Sequence, residues 1–410
     1  MKNTWSTKSL ADVCQIRPPK AEARKLISSE DSVSFVPMED LGIEQKIFIP
    51  VKERAFADVS GSYTYFADGD VLLAKITPCF ENGKVGIAEN LVNGIGFGSS
   101  EFIVFRPTEV LSNQWLYYFV SRESFREEGA KQMTGAVGHK RVSKEFIENY
   151  QIPIPPLPEQ QRIVAILDEA FDGIATAKAN AEKNLKNARE LFESHLQSVF
   201  TQRGEGWVEK PLGNYCDLLN GFAFKSSDVV PESETQLVRM GNLYGNKFSL
   251  DRSAVFYPDV FTTEYQKYLL QEGDIVMSLT GTTGKEDYGY AVRIPECEHK
   301  LLMNQRIVKF DSIREEVIDR NYLLHFLRSR TFLDILYPTA NGTRQANLSS
   351  VTIKTLLIPI CSIAEQRKIA NSFESLFDET ERLELIYQQK ITALDELKKS
   401  LLHKAFSGEL

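Results

Sequence analysis

Two long stretches of the chain carry apolar residues at alternating spacings of three and four, the pattern of a helix with a narrow apolar seam. The first seam is rich in alanine and runs through Ile163, Leu167, Ala170, Ile174, Ala177, Ala181, Ala188 and Leu191, with Asn184 interrupting it. The second carries larger side chains and runs through Ile369, Phe373, Leu376, Leu383, Tyr387, Leu394, Leu397 and Leu401, with Thr380 and Lys390 interrupting it. Small residues facing large ones predict that the two helices pack against each other. The alternative is that each helix separately covers its own domain.

The two stretches are copies of each other. Glu159-Gln160 recurs as Glu365-Gln366, and Phe200 recurs as Phe406, all 206 positions apart and without a gap. Because a packed helix pair loses its register when residues are inserted, this spacing predicts that helix length matters to function. The segment 203–207 is too short for a long return connection, so the helices should run antiparallel. An acidic residue before Gln160 suits a helix N-terminus, but the pattern gives no physical reason for the glutamine.

The regions that precede the two helices have mixed patterns. Trp5 matches Trp207, and Cys14 matches Cys216, at an offset of 202, so the whole chain is a repeat whose bodies have drifted by a few residues. Short strands bounded by turn residues are predicted at VLLAK, FIVF, IVMSL and RIVKF. Helical spacing predicts one helix over residues 113–128 and another over 320–336. Each body ends in a strand that leads into proline, IPIP in the first and LIPI in the second.

The predicted fold class is α+β. Two similar mixed α/β globular domains are separated by two long helices that form an antiparallel coiled coil, with a pseudo-twofold internal repeat. The predicted segments are residues 1–153 for the first globular domain, 154–203 for the first long helix, 204–358 for the second globular domain and 359–410 for the second long helix. A chain of 410 residues is long enough for such an arrangement.

Composition and charge narrow the possible functions. No apolar run approaches the ~20 residues that span a bilayer, and the N-terminus lacks the apolar region of a signal peptide, so a cytoplasmic protein without a membrane segment is expected. The net charge of −8 argues against a protein that grips nucleic acid alone by bulk charge. A DNA role would need local basic patches or a basic partner. The five cysteines show no CxxC and predict neither a disulfide framework nor a zinc site; Cys14 and Cys216 are predicted to be small core residues.

Catalytic motifs do not emerge from the sequence. The segment GTTGK (281–285) lacks the first glycine of a phosphate loop and the hydroxyl residue that should follow the lysine. The five histidines are scattered without metal-binding spacing, and no GxSxG or Asn-Pro-Pro-aromatic element is present. The sequence therefore predicts no catalytic, metal or cofactor site in this chain, and an enzyme is the weakest of the functional hypotheses.

Two pairs of loops, matched by the repeat, carry candidate binding side chains. The first body contributes the loops at residues 74–84 and 132–143. Their repeat mates in the second body are the loops at residues 278–289 and 338–349, respectively. Hydroxyls, amides and basic groups in glycine-spaced loops suit phosphate and base-edge contacts, although the same composition describes any mobile surface loop. The candidate DNA-binding residues are Lys75, Thr77, Asn82, Lys84, His139, Lys140, Arg141, Thr280, Thr282, Thr283, Lys285, Arg344 and Gln345. Residues 304–306 (NQR) either read bases or place Arg306 as a structural residue inside a strand-like run.

Together these residues resemble the specificity subunit of type I restriction–modification enzymes. The resemblance rests on QIPIPPLPEQQRIVAIL, LIPICSIAEQRKIA, KITPCFENGK, FGSSEFIVFRP, MSLTGTTGK and the terminal KAFSGEL, and it covers essentially the whole chain. The second copy departs from the pattern at residues 361–364, with CSIA where the first has PPLP. That departure weakens the local match but leaves the Glu-Gln that follows.

The resemblance implies a function that composition does not. Each globular region would be a target recognition domain for one half of a split site in double-stranded DNA, and the helices would fix the distance between the halves. Two modification (methyltransferase) subunits would dock on the helices and use S-adenosylmethionine, and restriction subunits would add ATP- and Mg-dependent translocation and cleavage. The chain itself would hold no cofactor and catalyse nothing. The competing hypothesis is a two-headed protein-binding scaffold that does not touch DNA.

Overall fold

A computed structural model describes residues 5–136 and 138–410. Its internal contacts divide the chain into two compact units. Unit 1 runs up to Glu182 and includes Gln388–Leu410, and unit 2 is Lys183–Tyr387. Both boundaries fall inside the long helices, so each unit combines a globular region with a part of each helix.

Unit 1 contains three groups of paired strands. Its strands are β1 (Ser6–Ser9), β2 (Cys14–Ile16), β3 (Ser32–Val36), β4 (Ile47–Phe48), β5 (Lys52–Ala55), β6 (Thr64–Ala67), β7 (Val71–Ala74), β8 (Val85–Ala88), β9 (Ile95–Gly98), β10 (Phe102–Pro107) and β11 (Gln151–Ile154). Its helices are α1 (Leu10–Val13), α2 (Phe56–Val59), α3 (Asn113–Val120), α4 (Glu123–Lys131), α5 (Lys144–Asn149), the first part of α6 (Leu157–Thr201) and the last part of α11 (Ile363–Ser407). The strands pair as a β1-β11 ribbon, a sheet in the order β2-β10-β7-β8-β4 and a sheet in the order β5-β3-β9-β6.

Unit 2 repeats this arrangement. Its strands are β12 (Val208–Pro211), β13 (Asp217–Asn220), β14 (Thr235–Val238), β15 (Phe256–Tyr257), β16 (Leu269–Leu270), β17 (Ile275–Ser278), β18 (Thr280–Thr282), β19 (Ala291–Arg293), β20 (Lys300–Met303), β21 (Ile307–Asp311), β22 (Gln345–Asn347) and β23 (Leu357–Ile360). Its helices are the last part of α6, α7 (Phe261–Glu264), α8 (Arg320–Arg328), α9 (Arg330–Leu336), α10 (Ser350–Thr355) and the first part of α11. The strands pair as ribbons β12-β23 and β18-β22 and as sheets β13-β21-β17-β19 and β15-β14-β20-β16.

The strand order confirms the internal repeat. The β1-β11 ribbon corresponds to β12-β23, β2-β10-β7-β8 corresponds to β13-β21-β17-β19, and β5-β3-β9-β6 corresponds to β15-β14-β20-β16. Even the pairing direction agrees, because β3-β9 and β14-β20 are both parallel within sheets whose other pairs are antiparallel. The predicted α+β class and the four predicted strands are confirmed.

The long helices contribute aromatic residues to the cores of the units. In unit 1, Phe406 near the end of α11 packs against Trp115 with ring centroids 4.4 Å apart, and against Phe119 at 5.2 Å. In unit 2 its repeat mate Phe200, near the end of α6, packs against Phe326 at 5.2 Å. Each helix end is therefore anchored in a hydrophobic core, which explains why the spacing between the copies tolerates no insertion.

Within unit 2 the two long helices run antiparallel. Phe192 of α6 packs against Phe377 of α11 with ring centroids 5.6 Å apart. Arg189, one turn earlier in α6, pairs with Glu384, later in α11, at 2.7 Å. The partner's number rises as the α6 number falls, which is the signature of antiparallel packing.

Unit 1 shows the same relation between its parts of the two helices. Lys178 pairs with Asp395 at 2.8 Å, and the ammonium of Lys398 lies 5.3 Å from the centroid of the Phe171 ring. The prediction that the helices pack on each other is confirmed within each unit.

Part of the predicted seam is wrong. Leu191 is 63% exposed and Leu397 is 47% exposed, and the predicted interruptions Asn184 and Lys390 are also exposed. Beyond Ala181 the seam of α6 continues through Leu185, Ala188, Phe192 and Leu196, so Leu185 and Phe192 take the places predicted for Asn184 and Leu191. A straight α-helix has 3.6 residues per turn, so a strict heptad drifts off the contact face unless the register shifts. Thr380, by contrast, is a polar residue buried in the seam, and its hydroxyl donates to the carbonyl of Leu376.

Each of the two helices predicted within the globular regions is divided into two helices in the structure. Residues 113–128 are divided between α3 and α4, and 320–336 between α8 and α9. The break in unit 2 falls at Ser329, which has extended backbone angles and accepts a hydrogen bond from the amide of Phe332 through Oγ. A serine with these angles ends one helix and caps the next.

The glutamine of the repeated Glu-Gln pair is a buried clamp. Gln160 is fully buried; its Oε1 accepts from the amide of Ser112 (2.8 Å), and its Nε2 donates to the carbonyls of Val110 and Pro155 (2.9 Å each). Gln366 makes the matching set, with Asp319 N at 2.9 Å, Val317 O at 3.1 Å and Cys361 O at 2.8 Å. The side chain ties the start of a long helix to the turn that opens α3 or α8, which gives the glutamine a structural role.

The two matched cysteines are core residues, as predicted. Cys14 is 4% exposed and Cys216 is 1% exposed. Burial raises the pKa of each thiol to about 12, so both remain protonated at neutral pH.

Candidate nucleic-acid interface

The structure brings the two predicted loops of each unit together. In unit 1 the backbone amide of Thr77 donates to the carbonyl of Lys140 (2.9 Å), and Ile76 forms a bridge with Arg141. In unit 2, β18 pairs with β22, which sets Thr282 opposite Gln345. The repeat therefore places two separate loops side by side in each unit.

Several candidate groups in unit 1 are held by the protein. Lys75 Nζ donates to the carbonyl of Ser100 (2.8 Å) and lies 3.8 Å from Glu101. Arg141 binds the same carboxylate with two nitrogens, at 2.6 and 2.9 Å. Burial lowers the pKa of Lys75 against the opposing effect of Glu101, and the hydrogen bond from Arg141 lowers the pKa of Glu101. At neutral pH the three groups form a charged cluster with a net charge of +1.

The remaining candidates of unit 1 divide into groups that are hydrogen-bonded to the protein and groups that are exposed to solvent. Thr77 Oγ1 donates to Glu81 (2.9 Å), and Lys84 Nζ donates to the carbonyl of Met38 (2.8 Å). Of these remaining candidates, Asn82, His139 and Lys140 are exposed to solvent. Beside Lys75 lies a concavity of about 230 Å³, lined in part by Arg17, Lys20, Tyr63 and Tyr65.

Unit 2 shows a similar division. Thr280 is buried, with Oγ1 3.0 Å from the sulfur of Met240. Asp287 accepts from both the amide and the hydroxyl of Thr282, each at 2.7 Å, and these two bonds lower the pKa of Asp287. Thr283 Oγ1 donates to the carbonyl of Gly342 at 3.3 Å. The charged candidates Lys285 and Arg344 are exposed, and Gln345 is half-buried.

A further basic surface lies outside the predicted residues. The turn at Gln305 and Arg306 joins β20 to β21 and exposes both side chains, so Arg306 is not inside a strand. This turn lines a concavity of about 500 Å³ together with Arg239 and Arg252. We call this surface, defined by Arg239, Arg252, Gln305 and Arg306, the arginine concavity. These residues come from distant points of the sequence, so the composition of any single loop does not identify the concavity. The segment NQR (304–306) was the one part of it that the sequence indicated as a candidate base-reading site.

Over residues 5–136 and 138–410, no group of three or more His, Cys, Asp or Glu side chains could hold a metal ion. Among the helices in those same ranges, none is long and apolar enough to cross a membrane.

Comparison with known sequences adds a family match. The model of the type I restriction modification DNA specificity domain matches residues 2–187 and again residues 204–393. The type I restriction enzyme EcoAI specificity subunit of Escherichia coli is 26% identical over an alignment of 477 positions, which covers 93% of this chain and 79% of that protein. The two matched regions coincide with the two copies of the internal repeat.

Comparison with solved structures supports the fold. The S subunit (HsdS) of Thermoanaerobacter tengcongensis superposes with a TM-score of 0.65 at 18% identity, covering 100% of this chain and 98% of that one. A chain from a structure on complex assembly and conformational transition of the type I R-M system superposes with a TM-score of 0.77 at 19% identity, covering 99% of this chain and 98% of that one. The similarity in fold therefore extends over nearly the whole of each solved chain.

Proposed function

The chain belongs to the family of type I restriction modification DNA specificity domains, and from this premise we propose that its two units read the two halves of a bipartite site in double-stranded DNA. As the DNA-specificity subunit of a restriction–modification system, it selects the sequence on which the assembled complex acts. Residues 1–153 and 204–358 would be the target recognition domains, and residues 154–203 and 359–410 the spacer helices. The alternative of a protein-binding scaffold without DNA is not favoured by this family membership.

The observation that carries this proposal is the duplication of one sheet topology on two continuous helices. α6 and α11 each contain 45 residues, which corresponds to about 68 Å of helix. In each unit two loops with hydroxyl, amide and basic side chains lie next to each other, as a surface for phosphates and base edges requires. A pair of similar readers on a spacer of fixed length suits a site made of two separated half-sites.

Catalysis would belong to partner subunits. We propose that two modification (methyltransferase) subunits dock on the helices with S-adenosylmethionine, and that restriction subunits add ATP- and Mg-dependent translocation and cleavage in the cytoplasm. The purified chain, incubated with DNA and labelled S-adenosylmethionine, should transfer no methyl group until methyltransferase subunits are added. Methyl transfer by the chain alone would contradict this part of the proposal.

Exchange of one recognition domain tests the division of labour. Residues 1–153 are replaced by the same region of another family member, with Trp115 and Phe119 retained because they hold Phe406. Selection from a randomised duplex library, with methyltransferase subunits present, should change one half of the recovered site and leave the other half unaltered. A change in both halves would contradict the two-reader arrangement.

Paired insertions test the role of the helices. Seven residues inserted after Ala181 and seven after Tyr387 keep the heptad register of both helices and add about 10 Å, the length of roughly three base pairs. The recovered site should gain about three base pairs between its halves. The single insertion after Ala181 should instead disrupt packing, because Phe200 is anchored in a core. Seven residues inserted at the exposed Glu205 provide the control, and unchanged spacing in the doubly extended protein would contradict the spacer role.

A further inference from the structure

The turn between β20 and β21 holds its backbone rigidly while it exposes two side chains. Asn304 Oδ1 accepts from the amide of Arg306 (3.1 Å). The amide of Asn304 donates to the carbonyl of Val238 (3.1 Å), and the amide of Gln305 donates to the carbonyl of Phe222 (3.0 Å). The turn is therefore tied to strand β14 on one side and to the segment after β13 on the other.

A glycine permits this close packing. A Cβ atom built on Gly221 would lie 2.1 Å from the carbonyl oxygen of Asn304, a distance that real side chains do not tolerate. Any larger residue at this position must push the turn away. The position of Gln305 and Arg306 thus depends on Gly221, which itself touches no ligand.

The Gln305 amide group and the Arg306 guanidinium group have no partner in the described part of the chain. Over those residues, no carboxylate lies within 4.0 Å of Arg306, and the Gln305 amide group makes no hydrogen bond. The flanking arginines are more constrained, because Arg239 donates to the carbonyl of Ser253 and Arg252 lies over the Tyr244 ring, 5.0 Å from its centroid. In the arginine concavity, the side chains of Gln305 and Arg306 are thus free and stand on a fixed backbone, and the two flanking arginines each contact another residue of the protein.

The same turn has the opposite charge in unit 1. Phe102 pairs with Ala74 at the end of β7, and Ile307 pairs with Ser278 at the end of β17, so the residues just before them, Glu101 and Arg306, are equivalent. Glu101 is occupied by Arg141 and Lys75. The fold therefore does not dictate the side chain at this turn, and the free Gln-Arg pair is a property of unit 2.

We propose that Gln305 and Arg306 read base edges in the half-site of unit 2, while Arg239 and Arg252 hold the flanking phosphates. This inference rests on the proposed function. Arginine binds the O6 and N7 atoms of guanine with two N–H groups, and glutamine does the same with adenine. Base reading requires side chains on a fixed backbone, which this turn provides. Phosphate contacts need charge and reach but less accuracy, which suits the two braced arginines.

The test uses the full chain with methyltransferase subunits and a randomised duplex library, followed by binding of the wild-type consensus at several salt concentrations. Arg306→Ala should lose preference at one position of one half-site, by roughly 5- to 150-fold. Arg306→Lys should lose part of the same preference while the salt slope stays unchanged, because a lysine keeps the charge and still donates to guanine but lacks the rigid planar fork of arginine. Arg252→Ala should weaken binding to all duplexes alike and reduce the salt slope by about one.

Two further variants separate this inference from its premise. Gly221→Ala should relax the same base preference without removing any polar group, and Lys210→Ala, an exposed cation outside the concavity, should change nothing. If Arg306→Ala folds and still selects the wild-type site with equal preference, the base-reading role is refuted while the proposed function stands. If the wild-type complex selects no bipartite sequence at all, the proposed function fails, and this inference fails with it.

Discussion

Replacement of Gln160 by methionine should destabilise unit 1 by roughly 3 kcal/mol. The substitution keeps the length of the side chain and removes its amide group. The amide of Ser112 then loses its acceptor, and the carbonyls of Val110 and Pro155 lose their donor. Because Gln160 is fully buried, water does not replace these bonds without opening the turn before α3.

The magnitude follows from the three groups left without a partner. A buried donor or acceptor that loses its partner costs about 1–3 kcal/mol, and the low end of that range for three groups gives the total. For a domain of this size, each kcal/mol corresponds to about 2–4 °C in Tm, so the transition of unit 1 should fall by roughly 6–12 °C. The amide of Ser112 should also exchange its hydrogen faster, since it marks the opened turn.

The assay is calorimetry combined with amide hydrogen exchange on three variants. Gln366→Met should shift the transition of unit 2 and release the amide of Asp319 without affecting Ser112. Gln161→Met, whose native side chain is exposed, controls for methionine on the helix and should stay within about 0.5 kcal/mol of the wild type. Equal stability of Gln160→Met and Gln161→Met would refute the clamp.

Three further predictions concern the helices and one buried histidine. Phe406→Ala should destabilise unit 1 by about 3–5 kcal/mol, whereas Leu397→Ala, at a 47% exposed position, should cost far less; similar losses in urea denaturation would contradict the core role of Phe406. Arg189→Ala should cost less than about 1 kcal/mol, because the Arg189–Glu384 pair is partly solvated; a larger loss in the same titration would show a stronger pair. Burial lowers the pKa of His325 to about 3, whereas its pKa in the unfolded chain is near 6.5. The unfolded chain therefore binds a proton first, and the free energy of unfolding should decrease by up to about 1.4 kcal/mol per pH unit between pH 6.5 and 3. His325→Leu should remove this acid sensitivity between pH 6.5 and 5.0, and an unchanged pH dependence would rule out His325 as its source.

The helices and the main strands could be predicted because their signals are local and periodic. VLLAK and IVMSL are short apolar runs bounded by turn residues, and β7 and β17 coincide with those runs closely. The ungapped match of Phe200 with Phe406 predicted a constraint on helix length. The structure supplies its cause, since both side chains lie in hydrophobic cores.

The helix breaks and the late seam could not be predicted from the same periodicity. The apolar spacing continues through Ser121 and Ser329, so nothing in it shows that the backbone becomes extended nearby. The seam required a choice between a strict heptad and a shift at Asn184. That choice depends on which residues of the partner helix lie opposite, and spacing along one helix does not contain this information.

The glutamine clamp and the candidate interface could not be predicted from the sequence for a different reason. Each depends on which polar groups find a partner when the chain folds and which remain free. Gln160 looks like a solvated helix residue until the turn before α3 closes over it. Lys75 and Arg141 look like free cations until Glu101 binds both. Arg306 occupies the position of Glu101 in the other copy, on the same turn and at the end of the same strand pairing. Because the fold accepts either charge at this turn, its stability does not require the arginine. The guanidinium group of Arg306 remains free in unit 2, and a test of DNA reading should therefore concentrate on it.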